Sequence, residues 1–462
     1  SAGWRPERTL GSGGNGWPFT SFHHVRPGGK AAGVALLVTT GVFYVSPWAP
    51  LTWLSLAALT GLVVARLDLG LALVALSAPF YLHPRPLAGK SFALSEVLIL
   101  LCLISWGLRQ IAKGKRVLFG RTPSSADVAV LSLVGVAAIA TLFAVRRHVA
   151  LRELRVVVLE PALLYLMLRT TRMDKTAIWR IVDGLVAGAA TVALIGLVQY
   201  ASGTNVIAAE QGFRRLRSVY GSPNNAALYL GRVLPILLAA PAFSKTRRRR
   251  LAYSVLAAPV GVALLFTFSR AAILLGVPFS LLALGLAAGG RWRWVALSLI
   301  VLAAVGTVPL MSTPRFAGLL DPHTGTLFFR LQLWRASWKM FVDHPWLGVG
   351  PDNFLYQYRG RYILPSAWQE PHLSHAHNLL LTYATRLGIP GLVVGLWLQV
   401  AFWRNTTTPA DSNGDRRALR LGLMGGMAYT LAHGLVDAST FFVDLSIAFL
   451  LMLGLVKWLQ RP

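Results

Sequence analysis

The sequence predicts an all-α polytopic membrane protein. Three observations carry this reading. Of the 462 residues, 55% are hydrophobic and only 13% are charged, where a soluble protein would carry about 25% charged residues. Apolar runs near the length of a bilayer crossing recur from one end of the chain to the other. The lone cysteine, Cys102, sits inside such a run and permits neither an internal disulfide nor a cysteine-based metal site.

Residues 1–30 are polar and Gly-rich, and read as a cytoplasmic N-terminal segment rather than a cleaved signal. Transmembrane helices are expected within 31–311. Apolar segments fall at 31–47, 50–65, 69–81, 92–108, 126–144, 150–168, 178–200, 223–243, 251–268, 271–289 and 294–311. Three more, at 377–403, 418–436 and 440–458, make 377–462 a C-terminal transmembrane unit. Some of the first segments are short, so the expected count is about twelve to fourteen spans.

The net charge of +28 would suggest nucleic acid in a soluble protein. In a membrane chain position matters more, because Lys and Arg mark cytoplasmic loops. The connections at 109–121, 169–175, 245–250, 291–293 and 404–417, with both termini and Arg66, Arg180 and Arg420, hold 27 of the 45 Lys and Arg. This predicts both termini in the cytoplasm. The "RRRR" run at 247–250 reads as a topology anchor rather than a nucleic-acid patch.

One connection differs from the rest. Residues 312–376 form a long mixed stretch on the outer side, and loops of that length are usually functional or disordered. Its "FFRLQLWRASWKMF" segment (328–341) interleaves aromatics with Arg330, Arg335 and Lys339, which predicts an amphipathic helix at the interface. No internal repeat or low-complexity tract is visible.

Three helix starts are predicted to open on that same outer face. "RRLRSVYGSPNN" precedes the span at 223–243, with Ser222 as a helix cap and Pro223 in its first turn. "FSRAA" places Ser269 and Arg270 between two spans with almost no loop. "SHAHNLLL" opens the span that starts near His377. Helix N-termini favour anions, and arginine binds phosphate through a planar fork that never deprotonates. An arginine at membrane depth is usually functional; for Arg270 the plain alternative is snorkelling to the interface. For Arg214, Arg215 and Arg217 the plain alternative is a solvated loop. A histidine at a helix start is kept neutral and can take a proton from a hydroxyl, which gives His377 a use beyond a satisfied interfacial ring. His375 and His377, two apart, would not share a helix face. Metal ligation would need Asp343, Asp352 or Glu370, and no known metal spacing is present. Arginines, a neutral base and a loop beside a membrane suit transfer from a lipid pyrophosphate, although composition alone does not separate that from anion transport.

The residues then become recognisable. His377, Asn378, nine residues, Gly388 and Gly391 fit the pattern H-[N/S/Q]-x9-G-x-x-[G/T/Y]. With "HPWLGVGPDNF" (344–354), "FSRAA" (268–272) and "RLRSVYGSPNN" (215–225), the chain resembles the O-antigen ligase group of the ligase/polymerase superfamily. In register from Pro223 and Asn224 the family arginine falls on Arg215, with Arg217 as a rival. Ser218 stands where glycine is common. The resemblance covers about residues 200–390; before that the chain matches only as a series of spans. It implies a GT-C-type fold of about twelve helices with one long periplasmic loop. It implies transfer of O-antigen glycan from undecaprenyl pyrophosphate to lipid A–core oligosaccharide at the periplasmic face of the inner membrane, with inversion and with no metal, ATP or other cofactor. It assigns the base to His377 and the pyrophosphate to Arg215 and Arg270. Supporting or acceptor-binding roles then fall to His375, Asn378, Arg330 and Arg335, and the outward Arg146, Arg147 and Arg152 are further candidates for acceptor phosphates. An O-antigen polymerase or an O-oligosaccharyltransferase would use the same donor. An anionic lipid transporter would instead show internal repeats.

Overall fold

All fourteen apolar segments form helix. The structure is a computed structural model and describes residues 29–112, 123–208, 214–311, 321–407 and 414–460. Most of the expected cytoplasmic N-terminal segment and parts of the basic connections and of the long loop lie outside these residues.

In chain order, α1 (Gly29–Val45) and α2 (Ala49–Ala65) form a hairpin, and a 119° bend at Arg66 leads into α3 (Leu67–Ser77). A short hairpin, β1 (Arg85–Leu87) and β2 (Lys90–Phe92), leads to α4 (Leu94–Ala112) and α5 (Ser125–Phe143). Helix α6 (Arg147–Glu153) runs through a π-turn at Leu154–Leu159 into α7 (Glu160–Thr170), followed by α8 (Lys175–Ser202). Strands β3 (Val206–Ala208) and β4 (Arg214–Leu216) pair antiparallel before α9 (Pro223–Phe243) and α10 (Arg247–Phe266). A π-turn at Ala272–Gly276 opens α11 (Val277–Ala288), and α12 (Arg291–Met311) follows. The long segment carries α13 (Gly325–Asp343) and α14 (Phe354–Gln357). The chain closes with α15 (Leu379–Thr407), α16 (Gly414–Gly434) and α17 (Val443–Leu459).

Among the described residues seven helices are long and apolar enough to cross a membrane, or eight when the bent α2–α3 pair counts as one. Twelve or more were expected. Further apolar helices are shorter, α1 and α17 with 17 residues each and the Ala272–Ala288 stretch, and α16 opens with Asp415, Arg416, Arg417 and Arg420. Burial is uneven. Helix α17 is buried along nearly its whole length, so it is a central helix. Helix α12 is exposed along most of its length, as a bilayer-facing helix should be.

The expected helix at 328–341 is α13. It buries Leu333, Ala336 and Met340 against Val349, Phe354, Tyr358 and Ala376, forming a second apolar core under the long segment.

The feature that positions the site is a break in α15. Gly388 has φ 67° and ψ −160° inside an otherwise continuous helix. A break strands peptide groups, and in an apolar layer each needs a partner within the protein. The 344–350 segment supplies them: Val349 N–H donates to Thr385 O at 2.8 Å, Gly350 N–H to Arg386 O at 3.1 Å, and Ile389 N–H to Pro345 O at 2.7 Å. Contact is so close that a Cβ on Gly348 would lie 2.4 Å from Thr385 O. The two sequence motifs around 344–350 and 377–391 are therefore two halves of one joint.

Gly388→Ala should break this joint. The added carbon would lie 2.4 Å from the Trp346 carbonyl carbon, at a backbone angle where a side chain costs about 1–3 kcal/mol. We expect a lower thermal midpoint and a lower folded yield in detergent. Gly360→Ala, where a Cβ meets nothing within 4 Å, should leave both unchanged.

Candidate functional site

The arginine side of the site is built on helix starts, as the sequence suggested. The Ser222 hydroxyl accepts from Asn225 N–H at 3.2 Å and caps α9. Arg215, on β4, lies across two elements: its Nε donates to Thr267 O at 2.9 Å and its Nη2 to Asn224 Oδ1 at 3.0 Å. Thr267 is three residues before Arg270, so Arg215 reaches the start of the helical stretch that carries Arg270. Arg217 turns the other way, donating to Asn205 O at 3.3 Å and to Asn205 Oδ1 at 2.5 Å. Arg214 lies over the Tyr200 ring at 5.9 Å. Of the three neighbours, Arg215 alone spans from β4 to the α9 and α10 ends. Ser218 has φ 54°, which gives the physical reason that glycine suits this position; its hydroxyl donates to Val192 O at 2.7 Å.

The histidine side is a loop, not a helix. The helix starts at Leu379, two residues later than expected, and Asn378 caps it by accepting from Leu381 N–H at 3.0 Å. His377 has φ 46°, a left-handed conformation that costs energy in a non-glycine residue and is common where function fixes the backbone. This turn brings the two rings together, contrary to the helical expectation: His375 and His377 have centroids 4.1 Å apart at 64°. The loop is fixed from four directions. Arg386 donates to Ser374 O at 3.2 Å while ion-paired to Glu153. Trp334 Nε1 donates to His377 O at 3.3 Å, Asn378 Nδ2 to Leu435 O at 2.9 Å, and His377 N–H to His375 Nδ1 at 3.3 Å.

The decisive contact comes from far along the chain. His377 Nδ1 lies 2.9 Å from Asp437 Oδ1, across 60 residues. Asp437 sits in the turn between α16 and α17 and is 1% exposed. His433 Nε2 approaches its other oxygen at 3.9 Å, and Ala438 N–H donates to Oδ1 at 2.8 Å. Burial pushes the Asp437 carboxyl up, and His377, through its hydrogen bond and charge, outweighs this and holds it well below the usual range. The turn is anchored by Arg232, itself buried, which donates to Leu445 O at 2.5 Å and to Ser439 O. Asp444, at the start of α17, accepts from the Tyr220 hydroxyl at 2.8 Å, tying this turn back to the "SVYG" segment.

Helix α13 spans the two sides. Thr326, in its first turn, accepts from Arg270 Nη2 at 2.5 Å, and Trp334, two turns on, meets His377. Eight residues of helix separate these contacts by roughly 12 Å. Arg330 lies between them. Its Nε is buried without a hydrogen-bond partner among the described residues; burial lowers its pKa, and Asp437 and Glu370 pull it back up. Arg335 is exposed and lies on another face of α13. The pair named together in the sequence therefore divides, with Arg330 near the Asp437 carboxylate and Arg335 toward solvent. Arg146 is more distant, stacked on the Tyr356 ring at 4.1 Å with its N–H donated to Asn353 at 2.9 Å; Arg147 and Arg152 are exposed on α6.

His375, His377 and Asp437 offer three ligand atoms within 4.8 Å of one another. None of the carboxylates considered in the sequence completes this set; Asp343, for one, accepts from the Tyr362 hydroxyl at 2.9 Å. A tetrahedral ion at about 2.0–2.2 Å from each donor would require the three to close around it, displacing the hydrogen bond between His377 and Asp437. The arrangement as it stands is a hydrogen-bonded His–Asp pair.

This geometry coincides with a family match. Residues 252–396 match the Wzy_C family model, described as O-antigen ligase. That stretch is similar to the O-antigen ligase family. The match supports membership of the O-antigen ligase/polymerase superfamily; no curated protein matches the chain. The matched stretch runs from α10 into α15 and includes Arg270, Arg330, His375, His377 and Gly388. Arg215 lies before it and Asp437 after it, yet both meet its residues in space.

Sequence reasoning missed Asp437, His433 and the Glu153–Arg386 pair. A signal was present for the first two. "HGLVDAST" places His433 and Asp437 four apart, and between 421 and 456 the only charged residues are Asp437 and Asp444. A carboxylate in so apolar a stretch is a functional candidate by itself.

His375 yields a prediction. Burial first, and then the neighbouring His377, push its pKa from 6.5 down to about 3. The folded state therefore binds fewer protons than the unfolded state between these values. His375 costs no stability above pH 6.5, and stability is lost as pH falls toward 3. The thermal midpoint should decline from pH 7 to pH 4, and His375→Phe should flatten that decline.

Proposed function

We propose that this protein is an inverting, metal-independent O-antigen ligase. It transfers O-antigen polysaccharide from undecaprenyl pyrophosphate to lipid A–core oligosaccharide at the periplasmic face of the inner membrane, with both termini in the cytoplasm. The observation that carries the reading is the His377–Asp437 contact, set about two helical turns along α13 from the Arg270–Thr326 contact, with Arg330 on the helix between them.

In the proposed reaction, Asp437 accepts the Nδ1 proton of His377 as a hydrogen bond. This fixes the tautomer and leaves Nε2 as the acceptor. An acceptor sugar hydroxyl loses its proton to Nε2 as its oxygen attacks the anomeric carbon of the first O-antigen sugar. The bond between that carbon and the pyrophosphate oxygen breaks on the opposite face, and the electron pair leaves with undecaprenyl pyrophosphate. Arg215 and Arg270 stabilise the negative charge that builds there, the electrostatic role that a metal fills elsewhere. Arg330, close to the Asp437 carboxylate, adds a third cation on the path between them. His375 and Asn378 hold the loop, and the exposed Arg335 and Lys339 on α13 face acceptor phosphates.

Four outcomes test this. His377→Ala should abolish transfer in folded, membrane-inserted protein; wild-type rates would remove it from the chemistry. Asp437→Asn keeps the side-chain shape and removes the charge, and should cost about 10²–10⁴-fold in rate. Arg215→Ala and Arg270→Ala should each cost about 10²–10³-fold. Purified protein with both lipid substrates should remain active in excess chelator. The family assignment alone is compatible with ligation or polymerisation. Complementation of a ligase-deficient Gram-negative strain separates the two: a restored lipopolysaccharide ladder supports ligase, and continued accumulation of lipid-linked polymer supports polymerase.

A further inference from the structure

A second polar site lies at the other end of the molecule. Helix α8 ends at Ser202, close to the arginine side of the candidate site, and begins 28 residues earlier at Lys175. At about 1.5 Å per residue its two ends are roughly 42 Å apart, the thickness of a bilayer with its headgroups. Around the α8 start is a cavity of about 510 Å³, within the range of small-ligand sites. It is lined by Arg66, Arg109, Arg172 and Arg180, with Asp68 and Asp174.

The arginines here are arranged differently from topology anchors standing in water. The 119° bend between α2 and α3 turns the chain at Arg66, which places that guanidinium against protein. Arg66 binds Asp68 through two bonds of 3.0 Å, and Arg180 Nη1 binds the same carboxylate at 2.6 Å. One acid thus serves two arginines. The other acid, Asp174, accepts from Ala177 N–H at 2.7 Å and caps α8. Arg109 donates to Val64 O at 2.7 Å and Ala65 O at 3.2 Å, closing the end of α2. Arg172 is exposed at the rim, with no hydrogen-bond or ion-pair partner among the described residues. Both carboxylates are engaged, and the lining of this concave space holds four arginines against two aspartates.

We infer that this cavity binds a phosphate-bearing ligand at the membrane face opposite His377. Guanidinium forks suit phosphate oxygens through paired hydrogen bonds, and the first turn of a long helix adds its positive end. The volume admits a phosphate with a glycerol or sugar attached. Two sources share this chemistry: the headgroup of an anionic lipid, and a soluble phosphomonoester. The inference stands apart from the reaction proposed above, because it uses none of the same residues.

The test uses the full chain purified in a neutral detergent. Thermal midpoints are measured with added phosphatidylglycerol, phosphatidylcholine or glycerol phosphate, since a ligand that binds only the folded state raises the midpoint. A rise with phosphatidylglycerol alone identifies a lipid headgroup; a rise with glycerol phosphate identifies a soluble source. Arg172→Gln should weaken the apparent affinity by about tenfold. Arg248→Gln, an exposed basic residue of α10 that does not line the cavity, should leave it unchanged. The inference is overturned if neither phosphate probe raises the midpoint, if phosphatidylcholine raises it equally, or if the two variants weaken binding to the same degree.

Discussion

An unpaired peptide group in an apolar layer is expensive, and this constraint organises the functional end of the protein. Several irregular segments meet there: 217–222, 267–270, 344–350, 374–378 and 435–442. They satisfy one another's backbone groups. The 344–350 segment fills the break in α15. Arginines complete the rest, with Arg215 on Thr267 O, Arg386 on Ser374 O and Arg232 on the carbonyls of Ser439 and Leu445. Each guanidinium brings several donors, so it can receive stranded carbonyls as well as anions. The candidate site residues are thus attached to backbone that cannot shift one segment at a time.

That rigidity has a chemical consequence. A proton-transfer site needs its acceptor lone pair aimed within a fraction of an ångström. His377 is held by its backbone turn, by Trp334 on its carbonyl and by Asp437 on its ring. Asp437 is held in turn by a buried network reaching Arg232, Asp444 and Tyr220. The site also has a charge gradient. Arg270 contacts the first turn of α13 with Arg215 on the adjacent Thr267 O, Arg330 lies further along the helix, and Trp334, midway along it, meets the histidine that is paired with Asp437.

Much of this was legible in the sequence. The apolar segments all became helices because helix formation in a membrane depends mainly on a sufficiently long apolar run. The Ser222 cap and the helix in 328–341 followed from local rules of capping and amphipathicity. Gly388 and the 344–350 loop were visible as separate motifs, and their docking was not. The span count was less legible, because π-turns and the bend at Arg66 divide apolar stretches in ways that hydropathy does not register.

The sequence by itself determined the class of fold, the approximate helices and the residue types available for chemistry. Those properties depend on neighbours within a few turns, where composition and spacing carry the information. Only the tertiary structure decided which residues meet. It turned Arg215 toward the α10 end and Arg217 toward Asn205, placed Arg330 inward and Arg335 outward, and made one histidine the partner of an aspartate 60 residues away. The reason is physical: a side chain's orientation is set by contacts between distant irregular segments, and no local periodicity encodes them.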